Sequence, residues 1–104
     1  AVAAFHSGVK LPIPPSEKLK ARVLVANGAD DPFIPMEQAD SYMAAMDAIG
    51  ANYEYISIPG ATHAYSSPDA TALGKKFDLP LAYNKAADDL SWTKLNEMLN
   101  EVFN

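Results

Sequence analysis

Three short apolar runs and two longer stretches with helical spacing set the pattern of this chain. The apolar runs extend over Ala1 to Phe5, Ala21 to Ala26 and Tyr53 to Ile58, and each leads into a turn-forming sequence. Apolar residues at helical spacing mark the stretches from Met36 to Ile49 and from Asn84 to about Phe103. The second run does not alternate with polar residues, which predicts a strand buried on both faces. This order predicts a three-layer type of α/β fold, in which helices pack on a parallel sheet of about three strands with a right-handed βαβ unit at its centre.

The two helical stretches each carry their apolar residues on one face, which predicts that both pack against the sheet. In the first helix these positions are Met36, Ala39, Met43, Met46 and Ile49. In the second helix they are Trp92, Leu95, Met98, Leu99, Val102 and Phe103. We expect Asn84 to cap the second helix, and Trp92 to anchor the core rather than to stack on a substrate. Before that helix, only a short helical turn near Ala70 to Leu73 is predicted, ended by Gly74.

The turns after the second and third apolar runs each carry one residue suited to catalysis. Asp31 lies in the first of these turns and His63 in the second. Because both turns leave the carboxyl ends of neighbouring parallel strands, the two side chains are expected at the same edge of the sheet. Asp31 is a better acid than Asp30, since a residue before Pro32 is pushed into an extended conformation. A carboxylate bonded to a histidine orients the imidazole as a general base, whereas the alternative is a turn cap and a surface histidine.

Composition excludes several classes of function. The 104 residues suit one domain, and their net charge of −5 argues against a nucleic-acid partner. The chain has no cysteine, which excludes disulfides, thiolate metal sites and a cysteine nucleophile within it. The two histidines match no ligand spacing, so we expect neither a metal nor another cofactor. No apolar run approaches a membrane span and no signal peptide is recognisable, so we expect a cytoplasmic protein without membrane contact.

Four segments in sequence carry a resemblance to a known family. They are Gly28 to Pro35, Pro59 to Tyr65, Leu81 to Ala87 with the following Ser91 and Trp92, and Phe5 to Gly8. The first two resemble the acid loop and the histidine loop of the dienelactone hydrolase family of α/β-hydrolases. The third is similar to the C-terminal helix of that family, and Phe5 to Gly8 resembles the strand and turn that follow its nucleophile helix. The resemblance implies a hydrolase of carboxylic esters or lactones in which His63 and Asp31 complete a triad with a nucleophile. Phe33 and Tyr65, in the same two loops, are the expected substrate contacts.

Two features depart from the family pattern. The chain contains no Gly-x-Cys-x-Gly or Gly-x-Ser-x-Gly elbow, and Ser7 lacks both the second elbow glycine and a helix pattern after it. We therefore expect residues 1–104 to be the C-terminal portion of a hydrolase domain whose nucleophile and oxyanion-hole loop lie elsewhere. Family members that hydrolyse the anionic dienelactone tend to carry an arginine shortly after the histidine, where this chain has Ser66 and Ser67. This argues against that substrate and leaves the hydrolase class intact.

Two alternatives remain open at the level of sequence. His6 either lines the pocket or caps the turn beside Ser7 and Gly8, and the turn role is preferred. The chain as a whole is alternatively a free-standing, non-catalytic α/β domain that binds a small molecule or a partner. If it is part of a hydrolase, we expect the edge of the Ala1 to Phe5 strand to pair with a second copy or with an N-terminal half of the enzyme.

Overall fold

The computed structural model describes all 104 residues and contains three strands and three helices. They are β1 Val2–Phe5, β2 Val23–Gly28, α1 Met36–Ala48, β3 Tyr53–Ile58, α2 Ala70–Phe77 and α3 Lys85–Phe103. The strands, α1 and α3 lie where the hydrophobic pattern predicts them, with ends that shift by no more than two residues. The predicted element order is therefore confirmed.

The three strands form one parallel sheet in the order β1, β2, β3. All six residues of the central strand β2 are buried, which explains why its apolar residues do not alternate with polar ones. Ala26 of β2 pairs with Phe5 on one side and with Ile56 on the other. Because the strands are parallel, the end of β1 and the turns after β2 and β3 all leave the same edge of the sheet.

Helices cover both faces of this sheet. On one face Val23 and Val25 of β2 pack with Met46 of α1. On the opposite face Ala26 belongs to a second buried cluster, which includes Ala87 of α3. Alternate residues of β2 therefore serve opposite layers, which gives the predicted three-layer α/β arrangement.

Helix α2, predicted only as a short turn near Ala70 to Leu73, is longer than the sequence pattern predicts, because Gly74 lies inside it rather than ending it. A Cβ atom at Gly74 would overlap with the backbone carbonyls of Leu79 and Leu81. The glycine thus permits the next segment to approach the helix closely, which outweighs its low helix propensity. The helix ends instead at Asp78, which adopts a left-handed backbone with φ of 52°.

The last helix begins as predicted, but of the apolar positions predicted for its core face only Met98 is fully buried. The Asn84 side chain accepts a hydrogen bond from the backbone N of Ala87 at 3.1 Å and caps α3. The prediction that Trp92 anchors the core is wrong: the side chain is 52% exposed and packs edge-on against Phe5, with ring centroids 5.6 Å apart. The small residues Ala87 and Ser91 are buried together with Met98, and these three lie on the face of α3 that is turned to the protein interior. None of the three helices is both long enough and apolar enough to cross a membrane.

Candidate active site

The acid loop places one carboxylate in the interior. Asp31 is 3% exposed, whereas its neighbour Asp30 is exposed. Asp31 Oδ1 accepts a hydrogen bond from the backbone N of Phe33 at 2.8 Å, so the side chain closes the turn that carries it. This local bond fixes the carboxylate and leaves its second oxygen, Oδ2, free to face the neighbouring loop.

The acid loop and the histidine loop are joined through their backbones. Ala29 N donates to Ile58 O at 2.8 Å, and Asp30 N donates to Ala61 O at 3.0 Å. A Cβ atom at Gly28 would overlap with the Ala61 carbonyl, so only glycine allows this separation. The two turns consequently extend the sheet pairing past the strand ends and hold their side chains in register.

Asp31 and His63 form a hydrogen-bonded pair across these loops. His63 Nδ1 lies 2.8 Å from Asp31 Oδ2, and the carboxylate side chain has no exposed surface while the imidazole is 32% exposed. A carboxylate only accepts hydrogen bonds, so Nδ1 carries the proton and Nε2 carries the lone pair. Nε2 makes no hydrogen bond within the chain. The expected juxtaposition is confirmed, and the arrangement leaves an accessible imidazole with a basic nitrogen.

The two residues predicted to contact substrate lie in different environments. Phe33 is 52% exposed and packs edge-on against His63, with ring centroids 5.2 Å apart. It therefore borders the imidazole and presents apolar surface beside it. Tyr65 has no exposed surface, and its hydroxyl donates to Ala26 O at 2.8 Å and lies 2.7 Å from Ser91 Oγ. Burial raises the pKa of Tyr65, and the structure places its side chain in the core rather than where a substrate could touch it.

The side chain of His6, for which the sequence analysis prefers a role as a turn cap, lies next to the Asp31–His63 pair. The preferred role as a turn cap is wrong for the side chain, since His6 Nε2 lies 2.8 Å from Ser66 Oγ, beside the histidine loop. The imidazole rings of His6 and His63 pack edge to face with centroids 5.6 Å apart. Burial, and secondly the nearby His63, lower the pKa of His6. The signal that could have found it is topological, because β1 is parallel to β2 and delivers its next residue to the same edge.

Two other features of the surface lie apart from this pair. A cleft of about 490 Å³ separates the proline-rich segment after β1 from α1. Its lining residues include Val9, Leu11, Pro35 and Tyr42, but neither Asp31 nor His63. No three side chains of the histidine, aspartate and glutamate type come together in a way that would hold a metal ion.

The sequence and fold of this chain are similar to those of known proteins. No curated protein matches the chain. A solved structure of a dienelactone hydrolase-like promiscuous phosphotriesterase from metagenomic libraries is 25% identical to it, with a TM-score of 0.80. A structure named m3DLH is 27% identical, also with a TM-score of 0.80. Each similarity covers 98% of this chain and 42% of the solved one, so the chain spans less than half the length of these proteins. A sequence model of the dienelactone hydrolase family matches residues 1–103, and the chain belongs to that family.

Proposed function

We propose that this chain is part of a carboxylic-ester or lactone hydrolase, to which it supplies the base and the orienting acid of a nucleophile-histidine-aspartate triad. The observation that carries the proposal is the 2.8 Å bond from His63 Nδ1 to the buried Asp31 carboxylate, with Nε2 left without a partner. An imidazole held in this tautomer is the form that can remove a proton from a hydroxyl or thiol. Family membership supports the same reaction class.

In this proposal His63 moves the proton and Asp31 stabilises the charge that results. His63 Nε2 takes the proton of the nucleophile as it attacks the ester carbonyl, and the imidazolium then returns that proton to the leaving alkoxide. Asp31 keeps Nδ1 protonated throughout and stabilises the imidazolium without being protonated itself. A water activated by the same Nε2 releases the acyl group in the second half of the reaction. The nucleophile and the oxyanion-hole donors come from residues outside this chain.

The immediate surroundings of His63 favour an uncharged substrate with an apolar group. Phe33 presents a half-exposed ring beside the imidazole, and we propose that it contacts the acyl or alcohol portion of the ester. Ser66 and Ser67 follow the histidine loop where an arginine would bind a carboxylate. A neutral ester or lactone therefore fits better than an anionic dienelactone. Because one structural relative is described as a phosphotriesterase, a neutral phosphotriester is the second substrate class to assay.

We also propose that the free edge of β1 pairs with another strand, from a second copy or from further residues of the same enzyme. β1 lies at one edge of the sheet, and Val2 on it is 51% exposed. An apolar edge strand with unpaired backbone groups is a template for strand addition. Size-exclusion chromatography with light scattering, followed by intact mass measurement, tests this. A stable monomer at high concentration would contradict association of the chain with itself or with a bound second polypeptide.

The test of the proposed activity uses the chain itself and the longest protein encoded by the reading frame that contains it. In the longer protein, Asp31→Asn should lower kcat for a p-nitrophenyl ester by about 10³–10⁴-fold, because the histidine loses the partner that fixes its tautomer. Asp30→Asn is the matched control, since this exposed neighbour makes no side-chain bond to His63. Equal activity of the two variants would refute the role assigned to Asp31.

The 104-residue chain alone should hydrolyse the same ester no faster than its His63→Ala variant. An acid-histidine pair without a positioned nucleophile and oxyanion hole supplies only a general base. Saturable hydrolysis by the chain alone, lost in His63→Ala, would place the nucleophile inside it and make Ser7 and Ser66 the residues to replace.

A further inference from the structure

His6 reaches the candidate site through a strained backbone. It follows β1 directly, and its backbone N donates to Ala26 O at 2.9 Å, which continues the pairing with β2. Its φ of 40° lies in the left-handed region, which residues with a Cβ atom rarely occupy. Ala64, next to His63, is also left-handed, with φ of 59°. Backbone strain of this kind persists where the surrounding structure holds it, and it concentrates at functional sites.

The His6 side chain contacts the histidine loop and the residue after it through one hydrogen bond and two ring contacts. Its Nε2 shares a hydrogen bond of 2.8 Å with Ser66 Oγ. Its ring packs edge to face on His63 at 5.6 Å and on Tyr65 at 5.3 Å. Ser66 lies inside a turn closed by the backbone bond from Ser67 N to Ala64 O at 3.0 Å. The serine is therefore a fixed partner, and His6 has little freedom to rotate.

We infer that His6 is a positioning residue for His63, and that Ser66 holds His6 in the orientation this requires. Asp31 then holds the His63 ring at Nδ1, while the rings of Phe33 and His6 lie edge-on to it at 5.2 and 5.6 Å. The hydrogen bond to Asp31 fixes the position of Nδ1, but one bond alone does not fix the orientation of the imidazole ring. Contacts from two further rings restrict that tilt and keep Nδ1 aligned with the carboxylate. The catalytic meaning of the inference rests on the proposed function, whereas the restraint on His63 does not.

A neutral His6 suits this role. Burial lowers the pKa of His6, and the charge that His63 can carry lowers it further. A backbone hydrogen bond of His6 itself, and then Asp31, act in the opposite direction but more weakly. The hydroxyl-bearing side chains of Tyr65 and Ser66 also lie against the ring. His6 therefore adds ring contact without placing a second positive charge beside His63 near neutral pH.

The test measures the Nδ1 proton of His63 by nuclear magnetic resonance on the 104-residue chain. In the wild type this proton should exchange slowly with water, because it is held between His63 and the buried Asp31. In Ser66→Ala, which frees His6, exchange should be faster by about three- to tenfold, the range that follows from loss of one hydrogen bond. Ser67→Ala is the matched control, since its hydroxyl makes no bond in the structure, and it should leave the rate unchanged. Ser66→Thr keeps the hydroxyl and should restore the slow rate.

The outcomes separate this inference from the proposed function. A slow wild-type proton that exchanges equally slowly in Ser66→Ala, at an unchanged urea midpoint, would overturn the positioning role and leave the acid-histidine pair standing. A wild-type proton that exchanges as fast as in free imidazole would overturn both. Should Ser66→Ala fail to fold, His6→Phe removes the same hydrogen bond while keeping a ring at that place, and the same faster exchange is expected. An unchanged rate in His6→Phe overturns the inference equally.

Discussion

Gly28 and Ala61 approach so closely that a side chain on the glycine would overlap with the backbone carbonyl of the alanine. Gly28 ends β2, and Ala61 lies in the turn after β3. The contact is therefore the point at which the acid loop and the histidine loop meet. Gly28 is three residues before Asp31 and Ala61 is two residues before His63, so the distance between these two paired side chains depends on the contact.

Gly28→Ala should destabilise the fold and separate the acid from the histidine. The added methyl has backbone rather than a flexible side chain against it, so the loops themselves must move apart. Overpacking of this kind costs about 1–3 kcal/mol. Urea unfolding measures the loss, and Gly8→Ala is the matched control because nothing lies within 4 Å of a Cβ atom there. Equal midpoints for the two variants would show that the loops tolerate the wider spacing.

The sequence predicts the scaffold of the site well, because the scaffold depends on local pattern. The buried run of β2 and the helical spacing of α1 locate the strand ends, and parallel pairing then brings Asp31 and His63 together. The prediction of Asp31 over Asp30 rests on the proline that follows, and burial of Asp31 agrees with it. Each of these steps uses interactions between residues that are close in sequence or on adjacent strands.

The errors arise where a contact between distant residues decides the outcome. Gly74 continues α2 because segments after the helix approach its backbone, which helix propensity alone does not reveal. Trp92 is half exposed because the buried face of α3 is the one that carries Ala87, Ser91 and Met98. Tyr65 is buried because Ala26 and Ser91, distant in sequence, satisfy its hydroxyl. A periodicity plot contains none of these contacts.

Ala64→Gly should stabilise the protein. Ala64 follows His63 and has a left-handed φ of 59°, which glycine adopts without the clash that a Cβ atom makes. Relief of that clash is worth about 1 kcal/mol after allowance for the larger entropy of the unfolded glycine chain. The urea midpoint should rise. Ala44→Gly, the same change at an exposed position inside α1, should lower it by about 1 kcal/mol. A fall in both variants would indicate that the left-handed backbone at Ala64 is not strained.

Tyr65→Phe should destabilise the core without altering its shape. The hydroxyl lies between Ala26 O and Ser91 Oγ, and its removal leaves the fully buried Ser91 without a partner. The expected loss is about 1–3 kcal/mol in the free energy of unfolding. Adding Ser91→Ala should cost less in this background than alone, because the two hydroxyls share one bond. Tyr83→Phe is the control, since that hydroxyl bonds to Asp88 near the surface and its loss should be smaller. Strictly additive effects of Tyr65→Phe and Ser91→Ala would contradict the shared bond.

The stability of the chain should fall as pH is lowered through the titration of His6. Burial lowers the pKa of His6 in the folded state, so the unfolded chain binds a proton more tightly than the folded one. The contribution of neutral His6 to stability is therefore complete above its ordinary pKa of about 6.5, and it is lost as pH falls through the lower pKa of the folded state.

His6→Gln removes the titrating group while keeping a polar side chain. The urea midpoint of the wild type should fall more steeply below about pH 6.5 than that of His6→Gln. Replacing the neighbour, His63→Gln, removes the second cause of the lowered pKa and should reduce the steepness only in part, because burial is the larger cause. Parallel pH profiles for wild type and His6→Gln would mean that His6 titrates alike in the folded and unfolded chains.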